Sequence, residues 1–251
     1  MADEIDTRIS LDLDPDAVFA TIEDYDDDTA SYLSPAKAAF TEAYSALRAI
    51  HDAKAAAAED PTLNDAGRLL KTDDYAHKRL MKVYPLWDTA AASLSSKVEA
   101  WTAELSKAVT SKSSQMVSGE VRSFFKSMPT GERMTAISAA IKAGDETTVT
   151  AVLGAPPYLS GLEPEMQAVL LREWHEHSNP KLAKMLRAAQ AGLAQIEEKL
   201  GLLRREAKKA VGTIKIKGPN FDMHGQYEGE ITPAQLRAKK GKSDAPFAIG
   251  L

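Results

Sequence analysis

The stretch PKLAKMLRAAQAGLAQIEEKLGLLRREAKKAV, residues 180–211, is the most regular segment of the sequence and decides the fold class. Its apolar residues recur at alternating spacings of four and three, which is typical of a helix face that packs against another helix. Asn179 and Pro180 supply an N-cap and a first helical residue whose missing N–H costs nothing, and Gly212 marks the end. The residues of this seam are Leu182, Leu186, Ala189, Leu193, Ile196, Leu200, Leu203, Ala207 and Ala210.

Two further segments carry the same helical pattern. Ser34 followed by Pro35 repeats the cap-then-proline signal and predicts a helix over residues 35–59. A second seam runs without a break through residues 80–108 and contains Pro85. This proline either opens the helix or kinks it, and we expect a helix that starts near Pro85 and ends around residues 118–119.

The region between the second and third long helices is divided by prolines and glycines into short apolar groups. It predicts a compact unit of several short helices, the last of which is opened by a capping box of Ser160 and Glu163. The sequence therefore predicts an all-α fold, in which long heptad-patterned helices form a hairpin or bundle. The expected regions are an acidic N-terminal arm (1–33), a long-helix region (34–118), the short-helix unit (119–178), a long C-terminal helix (179–211) and a basic, mostly extended tail (212–251).

The two ends of the chain carry opposite charge. The first 28 residues contain eleven acids against Arg8 alone, whereas residues 204–251 contain ten lysines and arginines against five acids. The acidic end also holds a brief alternation, ISLDLDPDAVFATI, that suggests a short strand or an extended arm. Within the tail, TIKIK suggests a short strand and Thr232–Pro233 opens a short basic helix. The charged ends either pair within one chain or between neighbours, or remain solvated.

Composition excludes several classes of protein chemistry. The chain has no cysteine, so it has no disulfide, no cysteine–metal site and no thiol nucleophile. Its N-terminus lacks the basic and apolar regions of a signal peptide, and no apolar stretch is long enough to cross a membrane. We expect a soluble intracellular protein without membrane contact.

The segment WHEH, residues 174–177, holds the densest set of reactive side chains. His175 and His177 lie about 200° apart around a helix, so they do not face one metal ion. Glu173 and His177 are four residues apart, but two ligands alone are weak support for a site. We interpret the two histidines as the last turn of the preceding helix, where the helix dipole favours positive charge. The acidic DYDDD at 24–28 lacks the spacing of a calcium loop.

No recognised catalytic or nucleotide-binding motif occurs in the chain. There is no G-x-S-x-G and neither of the glycine-rich phosphate-binding patterns. We therefore expect a protein that is not an enzyme and that needs no cofactor or metal.

Candidate partner-binding residues lie on the seams and in the basic tail. Trp87 and Trp101 are two heptads apart on one seam, where they are either core residues or anchors for another chain. Leu193 and Leu200 are one heptad apart on the seam of the last long helix. In the tail, we assign partner contacts to Arg237, Lys239 and Lys240. The cluster can dock on an acidic protein surface or, as an alternative, on nucleic acid.

One stretch also carries a resemblance. GDETTVTAVLGAPPYLSGLEPEMQAVLLREW, followed by the long helix of residues 180–211, resembles uncharacterised proteins encoded by bacteriophages and prophages. The resemblance implies a phage context and a bacterial host. Together with the seams, it leads us to expect a structural or assembly protein of the virion that forms a homo-oligomer or a larger assembly. A nucleic-acid-associated accessory protein that uses the basic C-terminal region is the alternative.

Overall fold

The computed structural model describes residues 6–216 and 229–244, and these residues are overwhelmingly helical. The all-α prediction is confirmed. The helices are α1 (Pro15–Phe19), α2 (Ala30–Glu59), α3 (Asp65–Glu104), α4 (Gln115–Ser127), α5 (Thr130–Lys142), α6 (Glu146–Leu153), α7 (Pro164–Ser178), α8 (Pro180–Val211) and α9 (Pro233–Asp244). Strands β1 (Ile214–Ile216) and β2 (Gly229–Ile231) pair antiparallel, with Ile214 opposite Ile231.

The chain forms two compact units. As far as their residues are described, the first unit draws on Met1–Glu23, Leu33–Ala92 and Gly192–Leu251, and the second on Asp24–Tyr32 and Ser93–Ala191. Helices α2, α3 and α8 contribute residues to both units.

The N-terminal region is folded, which corrects the prediction of an extended acidic arm. The carboxylate of Asp14 accepts hydrogen bonds from the N–H groups of Asp16 (3.0 Å) and Ala17 (2.9 Å), and Pro15 occupies the first position of α1. Val18 and Phe19 are buried. Most of the described acids of this segment are exposed or half-buried, and Asp6, whose side chain is largely buried, pairs with Arg8. The apolar residues between them pack, so a high local charge does not prevent this segment from folding.

The core of the first unit is centred on Phe40 of α2. Its ring lies edge-on to Phe19, with centroids 5.8 Å apart, and tilted against Trp87, with centroids 4.6 Å apart. The indole Nε1 of Trp87 donates a hydrogen bond to the carbonyl of Ile196 on α8, at 3.0 Å. Aromatic pairs of this geometry add to the stabilisation that burial provides.

Two long helices start earlier than the sequence suggested. Helix α2 begins at Ala30, so that Pro35 is its sixth residue, and α3 begins at Asp65 and runs through Pro85. Pro85 is exposed, and its missing N–H therefore leaves the affected carbonyl on the solvent side. The buried side of α3 starts at Leu69, sixteen residues before the predicted start at Pro85. The packing of this additional segment outweighs the cost of the proline.

Helix α3 also ends earlier than expected, at Glu104 instead of residues 118–119. The following residues are rich in serine and threonine, whose side chains compete for backbone hydrogen bonds. The hydroxyls of Ser111 and Ser113 lie 2.8 and 2.7 Å from that of Ser118, and Ser114 caps α4 through the N–H of Val117 at 3.4 Å. The short-helix unit thus begins at Gln115.

The second unit contains the short helices α4–α7. Its core residues are Phe125, Ile137, Ile141, Val149, Val152, Leu153, Leu162, Leu170 and Trp174. The predicted capping box is wrong, because Glu163 makes no side-chain cap to α7 and the hydroxyl of the buried Ser160 donates to the carbonyl of Val152 instead, at 3.4 Å.

A buried arginine joins three segments of this unit. Arg133 of α5 is 7% exposed, and its guanidinium donates to the carbonyls of Phe125 (2.8 Å), Met128 (2.6 Å) and Lys126 (3.3 Å). A further N–H donates to the carbonyl of Gly161, whose φ of +70° places its backbone against the guanidinium. Because the last carbonyls of a helix have few partners within it, Arg133 supplies additional donors to the C-terminal end of α4, where the carbonyl of Phe125 also accepts from the N–H of Met128 at 3.1 Å.

The last long helix matches the prediction, and the tail matches it in part, since TIKIK contains β1 as predicted. Helix α8 runs from Pro180 to Val211, and Gly212 follows in a left-handed conformation with φ of +82°. In the tail, Thr232 caps α9 by accepting from the N–H of Gln235 at 3.3 Å, as the cap-then-proline signal predicts. The tail is therefore a strand pair and a helix over its described residues, and the expectation of a mostly extended segment is wrong there. The rest of residues 212–251 lies outside the described part of the chain.

Candidate functional site

The side chains of the WHEH segment are separately engaged. His175 Nε2 lies 2.7 Å from the carbonyl of Lys107, and His177 stacks on Trp174 with ring centroids 6.3 Å apart. As predicted, they lie in the last turn of α7. The nearby glutamates point to other partners, since Ser138 donates to Glu173 at 2.8 Å. The two glutamates and two histidines within residues 173–177 therefore do not converge on one ligand.

The acidic residues 24–28 bind cationic side chains of the same unit. Arg187 of α8 donates to Asp24 at 2.8 Å, and Lys184 pairs with Asp26 and, at 3.5 Å, with Asp28. The lysine is the main cause of the lowered pKa of Asp26. Over residues 6–216 and 229–244, no three histidine or acidic side chains are arranged to hold a metal ion.

The structure corrects the assignment of Trp87 as a partner-binding residue. Its side chain is 1% exposed and is covered by the chain itself. Trp101 is half-buried in the second unit, where it lies edge-on to Tyr32 with centroids 5.4 Å apart. Leu193 and Leu200 are also half-buried. A regular seam therefore identified the packed side of these helices and did not distinguish an intrachain contact from an interface.

The basic residues of the tail lie on α9. Arg237 pairs with both Asp73 and Asp74 of α3, within the first unit, and this contact raises the pKa of Arg237. Lys239 and Lys240 are exposed, and Lys240 lies 3.2 Å from Asp244. Helix α9 of the tail thus pairs with α3 through Arg237. Of the three predicted contact residues, Arg237 and Lys240 thus both have an acidic partner within the chain.

A group of exposed apolar side chains was not found from the sequence. In the second unit, Met116 is 75% exposed and Phe124 59%, and both lie with Val117 on the outer side of α4. Tyr158 and Val169 are exposed to a similar extent, at 66% and 62%, but they lie outside α4 and are not part of this group. Large apolar side chains grouped at a surface mark interaction sites more often than scattered ones do.

Beside this face lies an open groove of about 440 Å³, formed by α4 and the neighbouring ends of α5 and α6. Val121, Phe124, Phe125 and Ala140 give it an apolar lining, and its charged lining residues are Glu120 and Asp145. We call this site the α4 groove.

Asp145 is held in its charged form. Its carboxylate accepts a hydrogen bond from the backbone N–H of Thr148 at 3.1 Å, and hydrogen bonding by Thr148 lowers the pKa of Asp145. Glu120 on α4 is exposed. The groove therefore presents negative charge at the rim of an apolar surface, which suits a ligand that carries apolar side chains and positive charge.

His51 of α2 is a second unusual titratable group. Its Nε2 is buried and has no hydrogen-bond partner among the residues that the structure describes. Burial lowers the pKa of His51 below 6.5, and the positive charges of Arg8, Lys54 and Lys209 lower it further, against an opposite effect of Asp6. The imidazole is thus kept neutral in the folded protein near neutral pH.

Comparisons with known proteins do not name a family for this chain. No protein-family model matches it, and neither the curated proteins nor the solved structures contain a significant match. None of the described helices is both long and apolar enough to cross a membrane.

Proposed function

We propose that the protein is a non-enzymatic structural or assembly protein that binds other protein subunits through the exposed apolar surface of its second unit. The exposure of Met116, Val117 and Phe124 along one side of α4, next to the α4 groove, carries this proposal. Leaving such side chains in water costs hydrophobic free energy, about 25 cal/mol per Å² of apolar surface, which a partner subunit recovers on binding.

A bacteriophage particle is the proposed setting. The resemblance of residues 144–211 to proteins encoded by phages and prophages supports it, and helical proteins with charged termini suit a virion component. The separate engagement of Glu173, His175 and His177 is consistent with a role that does not depend on catalysis.

The experiment is a concentration series of the purified chain in sedimentation velocity and light scattering. We expect reversible self-association, and weaker association in Phe124→Ser, where an exposed aromatic side chain is replaced by a small polar one. A chain that stays monomeric over the whole series, and that is absent by mass spectrometry from particles purified from its native host, would overturn the proposal.

A nucleic-acid-associated function is the second candidate, and the exposure of Lys239, Lys240 and Lys242 on α9 favours it. Cationic side chains of this kind neutralise phosphates, so binding would weaken steeply with salt. Loss of such salt-dependent binding on deletion of residues 233–243 would support this function, whereas equal binding by the deleted chain would exclude this route. The pairing of Arg237 with Asp73 and Asp74 leaves fewer cations for it, and we therefore place it second.

A further inference from the structure

The chemistry of the α4 groove restricts what can fill it. The apolar lining is formed by Val121, Phe124, Phe125 and Ala140, and its volume of about 440 Å³ has room for one or more large apolar side chains. Both charged lining residues, Glu120 and Asp145, are acidic. A fitting partner is therefore a segment with adjacent apolar and cationic residues, whereas an acidic segment would be repelled.

The chain itself contains a segment of this kind. Lys239, Lys240 and Lys242 are exposed at the end of α9, with Asp244 as the one acid in this part of the sequence. The next seven residues, APFAIGL at 245–251, have no charged side chain and include Phe247 and Ile249. Residues 239–251 thus combine a net positive charge with large apolar side chains, which is the complement of the groove.

We propose that the α4 groove of one copy binds residues 239–251 of a second copy. The apolar residues of the segment fill the space along Val121 and Phe124, and its lysines lie close to Glu120 and Asp145. This inference rests on the proposed assembly function and names the partner that the exposed surface of α4 binds.

The proposed contact has a consequence for the type of assembly. Groove and segment are different surfaces, so the interface is heterologous: each copy offers one segment and accepts one. Such a contact produces rings when the rotation between copies closes and open filaments when it does not. A symmetric dimer in which both copies use the same surface would not need this contact.

The test uses two variants that each remove one side of the contact. The truncated chain 1–244 keeps the groove and lacks the apolar part of the segment, and Phe124→Ser keeps the segment and alters the groove. Val169→Ser is the matched control, since Val169 is equally exposed in the same unit but does not line the groove. Circular dichroism establishes that each variant is folded before sedimentation velocity measures association.

We expect the truncated chain and Phe124→Ser to associate at least about tenfold more weakly than the unaltered chain, and Val169→Ser to associate normally. An equimolar mixture of the two defective variants should form 1:1 dimers and nothing larger. Each mixed pair retains one intact groove and one intact segment, so one contact forms and no further copy can be added.

Three outcomes would overturn the inference. If the truncated chain assembles as well as the full chain, another surface mediates association, and the proposed function survives without this contact. If the full chain is monomeric while a synthetic peptide of residues 239–251 binds only the truncated chain, the segment occupies the groove of its own copy. If no variant associates and the peptide does not bind, both the inference and the proposed function fail.

Discussion

Replacing Arg133 by methionine tests how the second unit is held together. The buried guanidinium donates to Phe125 and Met128 at 2.8 and 2.6 Å, and more weakly to Lys126 at 3.3 Å. A hydrogen bond to a charged group contributes about 1.5–3 kcal/mol. Counting only the bonds to Phe125 and Met128, each at the lower value, gives a loss of about 3 kcal/mol. Methionine retains an apolar stem of similar length, so the change removes the donors with little loss of packing.

Two effects modify this figure in opposite directions. The carbonyls that lose their donor add a desolvation penalty of about 1–3 kcal/mol. Methionine, in contrast, has no charge to desolvate, and this offsets part of the loss. We therefore expect Arg133→Met to lower the free energy of unfolding by about 3 kcal/mol. Lysine cannot reach several carbonyls at once, so Arg133→Lys should lose most of the same amount.

The assay is urea unfolding followed by far-UV circular dichroism, with hydrogen exchange of peptides from α4 and α5 as a local measurement. Arg172→Met is the control, because Arg172 is exposed and its pair with Glu176 at 2.9 Å contributes about 0.5 kcal/mol or less. If Arg133→Met changes stability by no more than this control, the carbonyls at the end of α4 do not depend on Arg133 and the reasoning is refuted.

Three further predictions concern the first unit. Trp87→Phe should lower the free energy of unfolding in urea by about 1–2 kcal/mol, because the hydrogen bond to the carbonyl of Ile196 is lost while most of the ring packing remains. An unchanged free energy of unfolding would show that this hydrogen bond contributes nothing to stability. The free energy of unfolding should fall as the pH drops below 6.5, because His51 takes up a proton more readily in the unfolded chain than in the folded one. His51→Gln should remove this part of the pH profile. An unchanged profile in this variant would show that His51 is not its cause. Gly212→Ala should destabilise by about 1 kcal/mol, because φ at this position is +82°, which an L side chain rarely adopts; calorimetry showing an unchanged Tm would refute this.

The cap-then-proline signal predicted helix starts correctly at most positions, but Ser34–Pro35 lies inside α2. Asn179–Pro180 and Thr232–Pro233 both open helices in the structure. Asp14–Pro15 carries the same signal and opens α1, although the alternation in ISLDLDPDAVFATI suggests a short strand or an extended arm. At this position the local cap determines the structure.

Periodicity predicted the packed faces of the long helices but not their ends. The seam around Trp87 continues on both sides of Pro85, because tertiary burial outweighs the local cost of a proline on the exposed side. Helix α3 then stops at Glu104 although apolar spacing continues to residue 108. Apolar spacing reports which side a helix would bury and contains no information about where backbone hydrogen bonding is interrupted.

The α4 groove could be predicted only in part. Met116, Val117, Val121, Phe124 and Phe125 are spread over more than one side of α4, which is more apolar surface than a single intrachain contact covers. That excess was a usable signal for an exposed apolar face. The groove itself also needs Ala140 and Asp145 from other helices, and their approach depends on tertiary packing that a single sequence does not reveal.

The internal pairing of the N-terminal acids changes how the protein meets a charged partner in solution. Asp16 lies 2.7 Å from Lys37, Asp24 lies 2.8 Å from Arg187, and Asp26 pairs with Lys184. Closely matched opposite charges act at a distance as small dipoles, whose fields decay faster than those of isolated charges and are further screened by salt. These paired acids therefore provide little long-range attraction during diffusional encounter, and the rate of encounter depends on charges that are not matched in this way.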